Sequence, residues 1–236
     1  MKKKERVACY SLLILYTMGY MKKYLSLGSK IIAILAAIIG TILSIFATGE
    51  FMTGSQIFLY FTIQSNLMIA IYLIIEIIFE YIIKKHYRVM DTLKLMFTVA
   101  ISLTGIVFSF VLAPTMENAF TLPNTLTHVV SPLFSIVDFF LIKKEKYTFK
   151  SNLLSTIPPL YYLFFSLIGY FLNWNFGGGN NYPYFFLNWG SPAGAFGFTN
   201  ELPFIGVFYW VLILLGLVIG MSYIYTSINN RRLKNK

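Results

Sequence analysis

Two reactive side chains, a threonine and a histidine, stand inside apolar segments of this chain. Thr62 lies in the segment YFTIQSNLMIAIYLIIEIIFEY, and His128 lies in TLTHVVSPLFSIVDFFLI. A polar group in such surroundings needs a partner, because an unsatisfied one in hydrocarbon costs several kcal/mol. A hydroxyl and an imidazole that share a hydrogen bond can exchange a proton, which is the basic step of general acid–base chemistry.

Both segments carry their polar side chains on one face of a predicted helix. At about 100° per residue, the polar groups of the first segment fall within about 60° of a common line; they are Thr62, Ser65, Asn66, Glu76 and Glu80. Those of the second share a stripe about 80° wide; they are His128, Ser131, Ser135 and Asp138. Both faces are expected to turn toward a bundle interior. Pro132 is expected to kink the second helix or to loosen its hydrogen bonding.

The composition is that of an integral membrane protein. The chain has 236 residues, of which 57% are hydrophobic and 12% charged, and a mean hydropathy of +0.69. A soluble domain of this size carries about twice that charge. The net charge of +10 is assigned to anionic lipid headgroups rather than to nucleic acid, since the basic residues stand at the ends of apolar runs. The lone Cys9 excludes an internal disulfide, and we expect no metal and no cofactor.

Six apolar runs are long enough to cross roughly 30 Å of hydrocarbon. They cover about 31–48, 57–83, 94–113, 125–142, 153–172 and 204–226. The 19 lysines and arginines fall into four clusters that these runs separate, within 2–30, 84–94, 143–150 and 231–236. The loops on the opposite side of the membrane contain no lysine or arginine; they are 49–56, 114–124 and 173–203. By the positive-inside rule, both termini are therefore expected to be cytoplasmic.

These spans place the hydroxyl and the imidazole at a similar depth. Both helices run from the outside inward, and Thr62 and His128 lie within the first few residues of their spans. At a rise of 1.5 Å per residue, both are roughly 5–8 Å below the outer boundary, so that they can meet. Glu76 and Asp138 lie near the inner end, roughly 15 Å too far away to orient the imidazole.

Ordinary structural roles remain open for these groups. The Thr62 hydroxyl can bond back to the Phe58 carbonyl, as threonines in membrane helices often do. His128 can be a neutral hydrogen-bond partner between helices. Glu80 precedes Lys84 by four residues, and this spacing favours an ion pair at the membrane surface.

The two deepest carboxylates have fewer ordinary explanations. Glu76 and Asp138 can pair with each other through a shared proton, or with a lysine that reaches in from a cytoplasmic loop. A structural role is favoured over proton transport.

The predicted fold is all-α, a bundle of six transmembrane helices formed by residues 31–226. A basic segment, 1–30, precedes it, and a basic cytoplasmic tail, 227–236, follows. The apolar run at 7–21 is short for a span, and its basic flank opposes crossing, so an extra interfacial helix is expected on the inner leaflet. The long outer loop, 173–203, is rich in Gly, Asn and aromatic residues, and we expect it to fold over the bundle as a lid or to form an aromatic belt.

Three segments together resemble a known family. YFTIQSNL (60–67), THVVSPLFSIVDFF (127–140) and NNYPYFFLN (180–188) are similar to the bacterial Pr6Pr-type six-span membrane proteins, which in turn resemble the eukaryotic androgen-induced gene 1 and FAR-17a family. Eukaryotic members are threonine hydrolases that cleave fatty-acid esters of hydroxy fatty acids. The resemblance implies that Thr62 is the nucleophile and His128 its base, and Asp138 matches the acidic residue that follows the histidine.

The implied chemistry also needs supporting groups. Ser65 or Asn66 is expected to donate to the oxyanion, and Ser131 is expected to line the pocket. A backbone carbonyl, Glu117 or Asn124 is expected to fix the tautomer of the catalytic imidazole.

The resulting hypothesis is a lipid ester hydrolase in a bacterial cell membrane, with a fatty-acyl ester and membrane lipids as partners and no nucleic acid. The alternative is a non-catalytic protein that binds or transports a lipid or small solute along the polar stripe. A third possibility is a scaffold in which the polar stripes only join helices.

Overall fold

The fold is a bundle of α-helices. The computed structural model describes residues 3–47, 54–142 and 145–234, and side chains from residue 19 onward. Within these ranges there is no β-strand, only two isolated bridges in the last long loop, Gly177–Asn180 and Phe198–Ile205.

The helices follow in chain order with three π-helical turns. The first three long elements are α1 (Lys3–Phe46), α2 (Phe61–Ile77, extended by a π turn Ile78–Ile83) and α3 (Arg88–Val107, extended by a π turn Phe108–Leu112). Next come α4 (Leu122–Thr125), a π turn (Leu126–Val130) and α5 (Ser131–Leu141), which together form one rod. The last are α6 (Phe149–Leu154), α7 (Ile157–Phe171) and α8 (Val207–Lys234).

Six helices of the described residues are long and apolar enough to cross a membrane, as the sequence predicts. They are Gly19–Phe46, Phe61–Ile83, Arg88–Thr115, Leu122–Leu141, Phe149–Phe171 and Val207–Lys234. The predicted all-α, six-helix membrane fold is therefore confirmed. Helix α3 lies at the centre, in contact with α2, α5, α7 and α8, while α1 packs on α2 and α5.

The N-terminal segment is not a separate helix. Residues 7–21 are helical, but α1 continues without a break from Lys3 to Phe46. The side chains up to residue 18 lie outside the described residues, so an interfacial position for this segment stays a prediction.

Two lysines lie inside the bundle, although the sequence analysis assigned them to the basic ends of spans. Helices α1 and α3 begin at Lys3 and Arg88, earlier than the predicted spans, and this places Lys30 and Lys94 within them. Both side chains are fully buried. The prediction was wrong for these two residues because hydropathy alone cannot show that carboxylates from other helices will pair with a buried lysine.

Those carboxylates complete an ion cluster of Lys30, Glu76, Glu80, Lys94 and Asp138, in which Glu80 is half-buried and the other four are buried. Lys94 Nζ lies 2.7 Å from Glu76 Oε2 and also contacts Asp138 Oδ2. Lys30 Nζ lies 2.8 Å from Glu80 Oε2, 3.5 Å from Asp138 Oδ1 and 3.6 Å from Glu76 Oε2. Charges removed from water need such compensation, and here it connects four helices, α1, α2, α3 and α5.

The cluster settles the structural alternatives for the acidic residues. Glu76 and Asp138 are joined through buried lysines of α1 and α3 rather than through a lysine from a loop. The expected ion pair of Glu80 with Lys84 is wrong, since Glu80 pairs with Lys30. Lys84 instead ends the second span in a left-handed conformation, at φ 56°.

Replacing Lys94 by methionine tests the ion cluster. Lys94→Met leaves two buried carboxylates facing one lysine, so we expect a loss of about 3–5 kcal/mol in the free energy of unfolding. The thermal unfolding midpoint in detergent measures it. Adding Glu76→Gln removes the uncompensated charge and should restore part of the loss.

Lys85→Met is the matched control, because Lys85 is exposed and its replacement should change stability little. Equal midpoints for Lys94→Met and Lys85→Met would contradict a stabilising role for the ion cluster.

Candidate active site

Thr62 lies in the first turn of α2, closer to the helix start than predicted. A 3-10 turn, Gly54–Leu59, precedes Tyr60, whose extended backbone (φ −97°, ψ 140°) starts the helix at Phe61. The first N–H groups of a helix have no partner within it, so amide donors without a helical partner lie close to Thr62. Its hydroxyl does not bond back to the Phe58 carbonyl, which instead accepts from Gln64 Nε2 at 3.0 Å.

His128 lies in the π turn between α4 and α5. The Ser131 N–H bonds to the Leu126 carbonyl, five residues back, and Pro132, which follows, has no N–H to give to the carbonyl of His128. The expected loosening of hydrogen bonds around Pro132 is thus present as a π bulge. Such bulges re-aim side chains and occur often at functional sites.

The threonine and the histidine meet, as their matched depths predict. Thr62 Oγ1 lies 3.1 Å from His128 Nε2, and both residues are 5% exposed. The His128 ring also stacks on Phe108, with 3.9 Å between ring centroids and 23° between planes. The imidazole is therefore held in one orientation, with one nitrogen toward the hydroxyl.

A backbone carbonyl fixes the tautomer of His128. Its Nδ1 lies 3.0 Å from the Asn124 carbonyl oxygen, which can only accept, so Nδ1 carries the proton. Nε2 then presents its lone pair to the hydroxyl of Thr62. Thr127 Oγ1 also lies 3.0 Å from Nδ1, while its own hydroxyl donates to the Pro123 carbonyl at 2.9 Å.

Ser65 and Asn66 lie next to the pair, but their side chains bond to neighbouring carbonyls and to Thr104 and not to the Thr62 hydroxyl or the imidazole. Asn66 Nδ2 donates to the carbonyls of Thr62 and Thr127, at 2.8 and 2.9 Å. Ser65 Oγ lies 3.0 Å from the Thr62 carbonyl and 2.7 Å from Thr104 Oγ1. Both hydrogens of the amide are used, so the expected role of Asn66 as an oxyanion donor does not fit this geometry. The bridge from Thr62 to Thr127 joins the two helices that carry the pair.

The side chains of the other predicted site residues do not contact the pair. Asn124 contributes its carbonyl, and its side chain donates to the Ala119 carbonyl at 3.0 Å. Ser131 is fully buried, and its hydroxyl has no hydrogen-bond partner among the described residues. Glu76 and Asp138 belong to the ion cluster, about 21 and 15 Å further along their helices.

Tyr184 is a neighbour of the pair that sequence reasoning assigned only to the membrane interface. Its hydroxyl lies 3.5 Å from Thr62 Oγ1, and its ring stacks on Phe186 at 5.0 Å. The ring is partly exposed, but the hydroxyl lies in the interior. Burial raises the pKa of this phenol, against the opposing effect of the Thr62 side chain and the N–H groups of Thr62 and Phe61. It is thus protonated at neutral pH and available as a donor.

The loop that carries Tyr184 packs over the same end of the bundle. Tyr60 Oη donates to the Phe176 carbonyl at 2.7 Å, and Phe176 is fully buried. Tyr184 belongs to the segment NNYPYFFLN (180–188), but its position beside Thr62 depends on the path of the whole loop. A moving lid stays a prediction.

An apolar cavity opens beside Thr62. Its volume, counted as the space that the centre of a water molecule can reach, is about 70 Å³. Its wall consists of apolar side chains except for Thr62, Thr104, Tyr162 and Tyr184. The hydroxyl of Thr62 therefore faces a space that suits a hydrocarbon chain.

A second, small pocket adjoins the other side of the pair. Ser44, Asn124, Thr127 and His128 are among its lining residues, and so is Thr62. It has room for about one water molecule. Thr62 lines both spaces, whereas His128 lines only the smaller one.

Comparison of the chain with models of known protein families, with curated proteins and with solved structures returned no match. Among the described residues, no group of three or more His, Cys, Asp or Glu is placed to hold a metal ion. The function is therefore inferred from the arrangement of Thr62, His128 and Tyr184.

Helix α1 packs closely on the π turn that carries His128, and glycine substitutions in α1 can test this contact. A Cβ at Gly40 would lie 2.7 Å from Thr127 Cγ2 and 3.0 Å from Leu126 Cβ, whereas one at Gly28 on the same helix meets nothing within 4 Å. Gly40→Ala should destabilise by about 1–3 kcal/mol through overpacking. Gly28→Ala should stabilise by about 0.5–1 kcal/mol, because alanine favours the helix. Thermal unfolding in detergent measures both, and a stabilising Gly40→Ala would disprove this packing.

Proposed function

We propose that this chain is an intramembrane ester hydrolase acting on fatty-acyl esters, with Thr62 as nucleophile and His128 as general base. The observation that carries the proposal is the 3.1 Å contact between Thr62 Oγ1 and His128 Nε2 at the wall of an apolar cavity. A threonine hydroxyl is a weak nucleophile until a base takes its proton, and the tautomer set by Asn124 leaves Nε2 free to do so.

In the first half-reaction, Thr62 Oγ1 forms a bond to the ester carbonyl carbon while its proton passes to His128 Nε2. The tetrahedral intermediate then breaks its bond to the alcohol oxygen, and His128 returns the proton to that oxygen. The products are a free alcohol and an acyl group on Thr62. The Asn124 carbonyl stabilises the imidazolium through the Nδ1–H bond.

Hydrogen-bond donors for the oxyanion lie around the Thr62 hydroxyl. The N–H groups of Phe61 and Thr62 belong to the first turn of α2 and counteract the rise in the pKa of Tyr184, and the Tyr184 hydroxyl is itself a donor. The N-terminus of a helix favours negative charge. Together these groups supply a positive environment for the charge that develops on the carbonyl oxygen.

In the second half-reaction, a water molecule gives a proton to His128 Nε2 and attacks the acyl carbon. The bond to Thr62 Oγ1 breaks, and that oxygen takes the proton back, which releases a fatty acid. The polar pocket beside Asn124 and Thr127 has room for this water.

The substrate class rests on the cavity and on the resemblance to the Pr6Pr-type and androgen-induced gene 1 proteins, whose eukaryotic members cleave fatty-acid esters of hydroxy fatty acids. The same proposal places the protein in a bacterial cell membrane with both termini in the cytoplasm. The distribution of basic residues supports this orientation.

A transport or binding function has less support. It requires a polar path from Thr62 and His128 to Glu76 and Asp138. Neither the apolar cavity nor the polar pocket has an ion-cluster residue in its wall, and both carboxylates are paired with buried lysines.

The catalytic pair is tested by Thr62→Ala and His128→Ala, assayed for hydrolysis of a long-chain hydroxy-fatty-acid ester in lipid vesicles. We expect loss of hydrolysis without the nucleophile and a fall of about 10²–10⁴-fold without the base. Thr226→Ala is the control, a buried threonine of α8 bonded to the Tyr223 carbonyl. Full activity in either site variant would remove that residue from the mechanism.

Tyr184→Phe tests the oxyanion site separately. Removal of one donor should lower kcat by about 10²-fold with little change in KM, because the lost hydrogen bond forms in the transition state. Tyr182→Phe, two residues away in the same loop, should keep full kcat. Equal kcat values for Tyr184→Phe and the unsubstituted protein would exclude Tyr184 as a donor.

A further inference from the structure

Helices α7 and α8 are consecutive in the chain, yet they scarcely touch each other. Helix α7 packs on α3 and α2, and α8 packs on α3 and α6. The long loop that joins them crosses the end of the bundle above Thr62. The two helices are therefore held apart by their separate contacts with α3.

The apolar cavity fills the gap between them. Its wall contains Leu160 and Leu163 of α7, and Val211 and Leu214 of α8. These four side chains are partly exposed. Thr62 lies in the same wall, so the cavity extends from its hydroxyl to the gap between α7 and α8.

The surface around this gap is apolar. Large exposed side chains flank it on both helices, among them Phe164 and Ile168 of α7 and Leu212 and Ile213 of α8. The α7 sequence and α8 as far as Asn230 contain no charged residue. In a membrane, such a surface contacts acyl chains rather than water.

We propose that the gap between α7 and α8 is a lateral portal, through which one acyl chain of a lipid ester enters from the hydrocarbon of the bilayer. The ester carbonyl stops at Thr62, where the cavity wall becomes polar, and the chain lies between Leu163 and Leu214. The portal rests on the proposed function for the fate of the ester, but not for the binding of the chain.

The portal selects a class of substrate. An ester dissolved in the membrane reaches Thr62 without leaving hydrocarbon, whereas a charged, water-soluble ester would have to cross the apolar surface of α7 and α8. Long unbranched acyl esters are therefore the substrates, and their polar alcohol part faces the loop that carries Tyr184.

The experiment uses a photoactivatable palmitic acid, which marks where an acyl chain binds, in phosphatidylcholine vesicles. The vesicles contain the full chain with Thr62→Ala, so that the esters of the vesicle lipid are not hydrolysed. Crosslinks are mapped by mass spectrometry of peptides. We expect labelling of residues 103–112 of α3 and its extension and of 211–215 of α8. The double variant Leu163→Trp, Leu214→Trp blocks the gap and should lower this labelling by about tenfold.

The matched control is Phe164→Trp, Leu212→Trp, which adds the same ring to outward-facing positions of the same helices and should leave labelling unchanged. Leu163→Ala widens the gap, and it should keep or increase labelling, so the test does not depend on the folding of the tryptophan variant. Equal labelling of the blocked and control variants would overturn the portal.

Hydrolysis by chains with Thr62 intact separates this inference from the proposed function. Labelling at the cavity with no ester hydrolysis would leave the portal standing and remove the esterase. Hydrolysis of long-chain esters at an unchanged rate in the blocked variant would overturn the portal and keep Thr62 and His128.

Discussion

The arrangement of the bundle depends on the compensation of two lysine charges that lie out of reach of water. Lys30 and Lys94 are fully buried, and only Glu76, Glu80 and Asp138 lie within 4 Å of their Nζ atoms as opposite charges among the described residues. An unpaired charge there would cost more than any single packing contact can supply. Helices α1, α2, α3 and α5 must therefore turn these side chains toward one another, and this requirement fixes the rotation of α2 and α5 about their axes.

The same rotation brings the candidate catalytic groups together at the other end of α2 and α5. On each helix the acidic residue and the reactive residue share one polar face, so a face turned toward the lysines also turns Thr62 toward His128. Local breaks then refine the geometry. The helix start after Tyr60 leaves N–H groups without a helical partner near the Thr62 hydroxyl, and the π turn before Pro132 orients the imidazole. Gly40 permits the close approach that holds Thr127 beside the ring.

Periodicity and depth were enough to predict the six helices, their polar faces and the meeting of Thr62 with His128, because these follow from the order of residues along single helices. Lys30 and Lys94 were misplaced, since their burial depends on partners from other helices. Tyr184 was missed as a neighbour of Thr62 because a loop of about thirty residues brings it there. The cavity exists because α7 and α8 both pack on α3, and no pattern within either helix shows that they stay apart. Asn66 was correctly placed beside the site, but its donors serve backbone carbonyls.

The central claim is that the hydroxyl of Thr62 carries an acyl group during turnover. The most direct measurement is the mass of the peptide that contains this residue, after the protein in detergent has been mixed with a long-chain nitrophenyl ester and quenched with acid within one turnover. The account predicts an increase equal to one acyl group, located at Thr62 by fragmentation, that disappears as the ester is used up. Hydrolysis with the acyl group on another side chain, or with none on Thr62 at any time, would contradict it.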